Sequence, residues 1–168
     1  MNIAEDEKKT FSDLSQAARW MVPEKAKIHS LCYEQEDTAQ FAAGHKICLN
    51  ITWEAYEDIQ DVYLRMDIKF ADMSVVGVTW GTLGSAKAGQ IKQSVVEFDL
   101  SRFKDGKYMY NISLVEPAEL PVTAVDNIKQ QLFFEIYQPN DSIAPWNHQD
   151  YGHFDIPKLS LVEERTVK

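Results

Sequence analysis

Four side chains of complementary chemistry recur at every second position of one short run. They are Tyr63, Arg65, Asp67 and Lys69, within Asp61-Val-Tyr-Leu-Arg-Met-Asp-Ile-Lys-Phe70. Val62, Leu64, Met66, Ile68 and Phe70 fill the alternate positions, so the run reads as a half-buried strand with its polar row pointing outward. A phenol ring beside a guanidinium and a carboxylate on one rigid strand suits sugar recognition. Sugars offer apolar C–H faces to an aromatic ring and hydroxyls that pair with Arg, Asp and Asn. On this reading Tyr63 stacks on a sugar, while Arg65, Asp67 and Asn111 bind hydroxyls or a charged cap. Ser113, Phe133 and Tyr137 lie alongside if their strands share the sheet. Trp80 and Trp146 are read as loop aromatics at the rim. The same residue types also make an ordinary solvated face with cross-strand ion pairs.

Other chemistries find less support. The densest polar-aromatic cluster is Trp146-Asn-His-Gln-Asp-Tyr-Gly-His153. A metal reading would use His148, Asp150 and His153, but their spacing matches no standard ligand motif. The competing reading is a loop whose Trp146 and Tyr151 cap one end of the fold. A phosphate loop needs G-x4-G-K-[ST], whereas Gly106-Lys107 is followed by Tyr108. Gly77, Gly81, Gly84 and Gly89 read as a flexible hairpin loop. No G-x-S-x-G elbow occurs, and four histidines set no triad order. The acids are scattered, so no carboxylate pair for glycoside hydrolysis is legible. We therefore expect no catalytic residues, no cofactor and no resident metal. A metal-dependent enzyme using His148 and His153 is the alternative within that class. Cys32 and Cys48 are the two cysteines, without zinc or CxxC spacing, and read as free buried thiols. Sequons at Asn50, Asn111 and Asn140 read as chance, because the first two fall inside expected strands.

The elements that must hold these residues are strands. Ile47, Leu49, Ile51 and Trp53 alternate in one run; Tyr108, Tyr110, Ile112 and Leu114 alternate in another. Strands are expected near 26–34, 45–54, 60–70, 75–80, 93–100, 107–116, 131–138 and 153–163. Turn-forming residues separate them, including the Gly81–Gly89 stretch and Lys104-Asp-Gly106. About eight strands so spaced predict an all-β, two-sheet antiparallel sandwich. Val96, Phe98, Leu100, Leu132, Phe134 and Ile136 are expected to face inward. Residues 1–25 are read as a linker or short helix, with Phe11, Leu14 and Ala18 at helical spacing and Pro23 as its stop. Residues 26–168 are read as the sandwich.

With 168 residues and a net charge of −9, one acidic domain is expected. Phosphate binding needs a basic face, so the charge argues against nucleic acid and anionic lipid as partners. No apolar run reaches the roughly 18–20 residues that span a bilayer. The acidic, lysine-rich start lacks the apolar region of a secretory signal. A cytoplasmic chain, or a fragment whose targeting segment lies elsewhere, is expected.

Several phrases carry a family resemblance. Arg19-Trp20 followed by Ala26-Lys-Ile28, the turn Phe41-Ala-Ala-Gly-His-Lys-Ile47, Val76-Gly77 with Trp80, and Phe98-Asp-Leu100 before Gly106-Lys-Tyr108 stand in a telling order. Asp126 and Phe133-Phe134 continue it. Over residues 19–163 the chain resembles the C-terminal domain of Wzt-type subunits, the ATP-binding subunits of O-antigen and related polysaccharide ABC exporters. The resemblance implies an immunoglobulin-like sandwich that recognises a lipid-linked polysaccharide at the inner face of the plasma membrane. It implies transporter ATPase and membrane subunits as partners, a homodimer, and ATPase activity only in a domain this chain lacks. Two departures stand out. No ATPase motif is present, which suggests an excised domain or a stand-alone homologue. The ending Tyr151-Gly-His-Phe-Asp-Ile-Pro157 is longer and more polar than is usual there. A structural or protein-interaction sandwich that mediates dimerisation is the other reading.

Overall fold

The computed structural model describes residues 10–34, 38–116, 123–140 and 146–154. Among them lie the strands β1 (Phe11–Asp13), β2 (Ala26–Tyr33), β3 (Gln40–Ala42), β4 (Lys46–Ala55) and β5 (Ile59–Phe70). They continue with β6 (Val75–Ala86), β7 (Ile91–Asp99), β8 (Gly106–Glu116), β9 (Thr123–Asn127) and β10 (Leu132–Tyr137), then a one-turn helix α1 (His148–Tyr151). One sheet runs β1-β2-β4-β7. The other runs β3-β10-β8-β5-β6, with β9 also paired to β8. The two form a sandwich, as the alternation predicts.

The core follows from that alternation. In β4 the side chains of Ile47, Leu49, Ile51, Trp53 and Ala55 are buried; in β5 so are Val62, Leu64, Met66 and Ile68. Tyr108, Tyr110, Ile112 and Leu114 of β8 meet them from the same sheet as β5, together with Leu132, Phe134 and Ile136 of β10. Removing such apolar surface from water contributes about 25 cal/mol per Å². Three polar side chains that reach the core, Trp53, Tyr33 and Tyr110, are bonded. The Trp53 indole N–H donates to Ser94 Oγ at 3.1 Å. The Tyr33 and Tyr110 hydroxyls meet at 2.5 Å, and Tyr33 donates on to the Phe133 carbonyl at 3.1 Å. Desolvation inside the core pushes the Tyr110 phenol well above its ordinary range.

Four expectations need correction. The segment read as a helix begins as strand β1, paired antiparallel to β2. Leu14 is buried in the sandwich, and Arg19 forms a bridge with Ile128. Helical spacing of three small or apolar residues was outweighed by these tertiary contacts. The stretch from Gly81 is not a loop, because β6 runs on to Ala86 and turns only at Lys87–Gln90. Pairing with β5 fixes Gly77, Gly81 and Gly84 in a ladder, and Gly89 alone of the four lies in the turn. The short strands β3 and β9 carry no legible sequence pattern, and β3 pairs parallel to β10, so the fold is not wholly antiparallel. Finally, Cys32 and Cys48 are free thiols as expected, but both are half-buried rather than buried. The strand expected over 153–163 lies largely outside the described residues. Among those described, only a bridge between Phe103 and Phe154 marks it.

Candidate functional site

Strand β5 lies between β6 and β8, so its outward row has neighbours on both sides. Tyr63 stands opposite Val115 and Thr82, Arg65 opposite Ser113 and Trp80, and Asp67 opposite Asn111 and Val78. Five of the six predicted site residues, Tyr63, Arg65, Asp67, Trp80 and Asn111, therefore share one outer face. Cross-strand partners of this kind have Cβ atoms about 5 Å apart. Trp80 is 59% exposed and projects from the middle of a strand rather than from a loop.

The polar groups are half-exposed and partly engaged. Arg65 bonds Asp67 Oδ1 through Nε at 3.1 Å and Nη2 at 2.8 Å. Both bonds fall on Oδ1, and the Asp67 side chain is 42% exposed. The Asn111 amide makes long contacts, 3.4 and 3.5 Å, to the carbonyls of Lys129 and Gln130. Ser113 is buried beside Asn127 of β9 and offers little surface.

Beyond Lys69 the same face deepens. Lys69 stands opposite Met109 of β8, and Met109 and Lys107 stand opposite Phe133 and Glu135 of β10. Ala71, Lys107, Met109, Phe133 and Glu135 line a shallow pocket of about 120 Å³. Of these, sequence reasoning flagged only Phe133. The pocket arises from the β8–β10 register, which no single segment displays. From Arg65 across to β10 the face carries three cations, Arg65, Lys69 and Lys107, against two acids, Asp67 and Glu135. In a chain of net charge −9 this is a locally basic strip.

Trp146 lies apart from the row, at the end of the sandwich. Its indole N–H donates to the Gly152 carbonyl at 2.7 Å, and Lys104 Nζ sits 4.3 Å over its ring. The Asn147 side chain caps α1 by accepting from the Gln149 and Asp150 N–H groups. Asp150 accepts from the Asn147 amide at 2.6 Å and does not join the two histidines. Among the described residues no group of three His, Cys, Asp or Glu side chains could hold a metal ion.

The histidines instead clamp this segment down. His148 Nε2 lies 2.6 Å from the Asp105 carbonyl, an acceptor only, so that nitrogen carries the proton. His148 Nδ1 then accepts from His153 Nδ1 at 2.9 Å. His153 Nε2 lies 2.7 Å from Ser74 Oγ, whose hydroxyl donates to Asp72 Oδ1. Both rings stack on Phe70, with centroids 4.0 and 4.5 Å away. Ser74, His153 and His148 stand in the sequence of a nucleophile, base and orienter, but the Ser74 hydrogen is spent on Asp72. The nearby backbone donors are also engaged: Ser74 N–H bonds Asp72 and Met73 N–H bonds the Phe70 carbonyl. They form no oxyanion hole, and the cluster reads as a clamp.

Burial, then the neighbouring His148, holds His153 below the ordinary histidine range, with Asp72 acting the other way. A depressed histidine contributes stability that is present above its ordinary value of about 6.5 and lost as pH falls below it. Acidification from neutral pH should therefore raise amide hydrogen exchange, corrected for intrinsic rate, selectively in residues 146–154. Uniform protection of that segment down to pH 5 would contradict the clamp.

No protein-family model and no curated protein match the sequence. Solved structures do. Among the described helices none is long and apolar enough to cross a membrane. The fold is similar to a Niemann-Pick type C2 protein from Japanese carpenter ant, with 8% identity, a TM-score of 0.52, and 72% of this chain and 98% of that chain covered. It is also similar to the C-terminal domain of wzt, with 12% identity and a TM-score of 0.62 over 91% of this chain and 89% of that chain. At these identities the likeness is one of fold.

Proposed function

We propose that this chain is a non-catalytic carbohydrate-binding domain that recognises a lipid-linked, O-antigen-like surface polysaccharide for export by an ABC transporter. The observation that carries the reading is the gathering of Tyr63, Arg65, Asp67, Trp80 and Asn111 on one sheet face. Tyr63 and Trp80 offer ring faces, and Arg65, Asp67 and Asn111 offer hydrogen-bonding groups on rigid strands. The basic strip toward Lys69 and Lys107 suits a sugar end that bears an acidic substituent. The fold likeness to the C-terminal domain of wzt supports the same reading. Transporter ATPase and membrane subunits are the partners this reading calls for, at the inner face of the plasma membrane, and a homodimer is part of it.

The direct screen is a glycan array of bacterial surface polysaccharides with capped and uncapped ends. Selective retention of one end-modified polymer is expected. A blank array with folded, monodisperse protein would overturn the reading in favour of a protein-interaction sandwich. With a retained polymer, replacing Arg65 and Asp67 together by alanine should weaken binding about tenfold or more, because each lost hydrogen bond to a charged group is worth about 1.5–3 kcal/mol. Isothermal titration of the folded double variant reads this, and unchanged affinity would move the site off this face.

A further inference from the structure

A cavity of about 330 Å³ opens where the β4–β5 and β6–β7 turns meet. It lies at the Ile59 end of β5, whereas the histidine clamp holds the Phe70 end. A bulge shapes its wall. Ile59 pairs with Ala86 and Val62 with Gly84, so Gln60 and Asp61 stand against the single residue Ser85. Lys92 enters from the other sheet. It stands opposite Trp53, whose side chain is fully buried, and cross-strand partners point to one face. The lysine is therefore aimed between the two sheets, is half-buried, and donates to the neutral Ser85 carbonyl. Among the described residues it has no carboxylate partner. A charge held part-way out of water without a counter-ion is costly, and an anion from outside removes that cost. An inward lysine can also serve only to guard an edge strand, but such a guard needs no cavity beside it.

The surrounding groups select the anion. Lys87 adds a second ammonium, paired with Asp58 at 2.8 Å. Every backbone donor of the 87–90 turn is taken. Lys87 N–H goes to Gln90 Oε1 and Ala88 N–H to Asp58 Oδ1. Gly89 N–H goes to the Ala55 carbonyl and Gln90 N–H to that of Lys87. The turn therefore offers no nest of amides for a phosphate, and the Asp58 carboxylate opposes a second negative charge. We infer that this cavity binds a small monocarboxylate that also carries hydroxyls, the chemistry of a uronic or hydroxy acid. Its carboxylate pairs with Lys92. Its hydroxyls meet the exposed Gln60 amide, the Gln90 amide hydrogens and the Asp58 oxygens. A volume of this size lies at the lower end of small-ligand pockets. The site stands apart from the row of Tyr63, Arg65 and Asp67, so it does not depend on glycan binding there.

Amide-resolved NMR titration of the native chain at fixed ionic strength tests this, with sodium galacturonate as the probe. Galactose, acetate and inorganic phosphate are the controls. Galacturonate should shift residues 58–60 and 87–92, with a Kd of about 1–10 mM. Each control should bind there at least tenfold more weakly. Lys92→Met keeps the apolar stem over Trp53 and removes the ammonium. It should weaken galacturonate binding at least tenfold with unchanged far-ultraviolet circular dichroism. No shift in those residues up to about 50 mM galacturonate would overturn the inference. So would a control that binds there as tightly, or a folded Lys92→Met chain of native affinity. Shifts confined to Tyr63, Arg65 and Asp67 would overturn it too, while supporting the β5 face. Should Lys92→Met misfold, Lys92→Gln is the second probe, and native affinity there overturns the inference equally.

Discussion

Replacing Asp126 with alanine is expected to destabilise the domain by about 3–5 kcal/mol, the usual cost of stranding one member of a buried ion pair. Asp126 is 1% exposed. Its Oδ1 accepts from Arg19 Nε at 2.8 Å, and its Oδ2 accepts from the Ile28 N–H at 2.7 Å. Three further guanidinium hydrogens go to the carbonyls of Ala17, Leu14 and Ile28. One carboxylate thus ties β9, the segment after β1, and β2 into a single joint. Without it the guanidinium keeps its charge but loses its counter-ion, and the Ile28 N–H loses its acceptor. Urea denaturation should show the loss as a lower midpoint at an unchanged slope. Replacing both partners by apolar residues, as in Arg19→Met with Asp126→Leu, should cost less than Asp126→Ala alone. A single variant as stable as the native chain would show that the joint carries no weight.

The second large effect is expected at Gly106. Its φ is +144°, a region that L side chains rarely adopt. A Cβ there would lie 2.6 Å from Phe70 Cε2, 2.8 Å from Phe70 Cζ and 3.2 Å from His148 Nε2. Backbone strain of about 1–3 kcal/mol adds to overpacking of about 1–3 kcal/mol in Gly106→Ala. The Phe70 ring must move, and His148 and His153 stack on that ring. We therefore expect a lower melting temperature together with exchange broadening or loss of protection in residues 146–154. Gly81→Ala is the control: open space surrounds its Cβ position, and its stability should change by less than about 1 kcal/mol.

These residues also mark how far the sequence could be read. The strands with inward aromatics, β4 and β8, and the row on β5 were legible because each pattern is complete within one segment. The burial of Ile47, Leu49, Ile51 and Trp53 follows directly from period-two alternation. Phe11 to Trp20 was misread because its partners lie outside the segment: β1 pairs with β2 and the Leu14 N–H bonds the His29 carbonyl, while Arg19 is held by Asp126, 107 positions away. Trp80 was read as a loop aromatic at the rim, whereas it lies within β6 opposite Arg65. Glycines suggested a turn, and only pairing with β5 shows a ladder. The clamp of Ser74 and His153 spans 79 positions and has no local signature. The pocket by Lys69 depends on which residues of β8 and β10 stand opposite each other, a register that composition cannot supply.

The account rests on the outer face of β5 being the ligand surface. The most direct measurement is a two-dimensional amide and side-chain NMR titration of the whole chain with the polysaccharide that the array retains. Shifts are predicted to cluster at Tyr63, Arg65, Asp67, Trp80 and Asn111, and to extend toward Lys69, Met109 and Phe133 if the sugar end enters the pocket. Shifts confined to the opposite sheet, around Cys48, Asn50 and Val95, or to the Trp146 end alone, would contradict it.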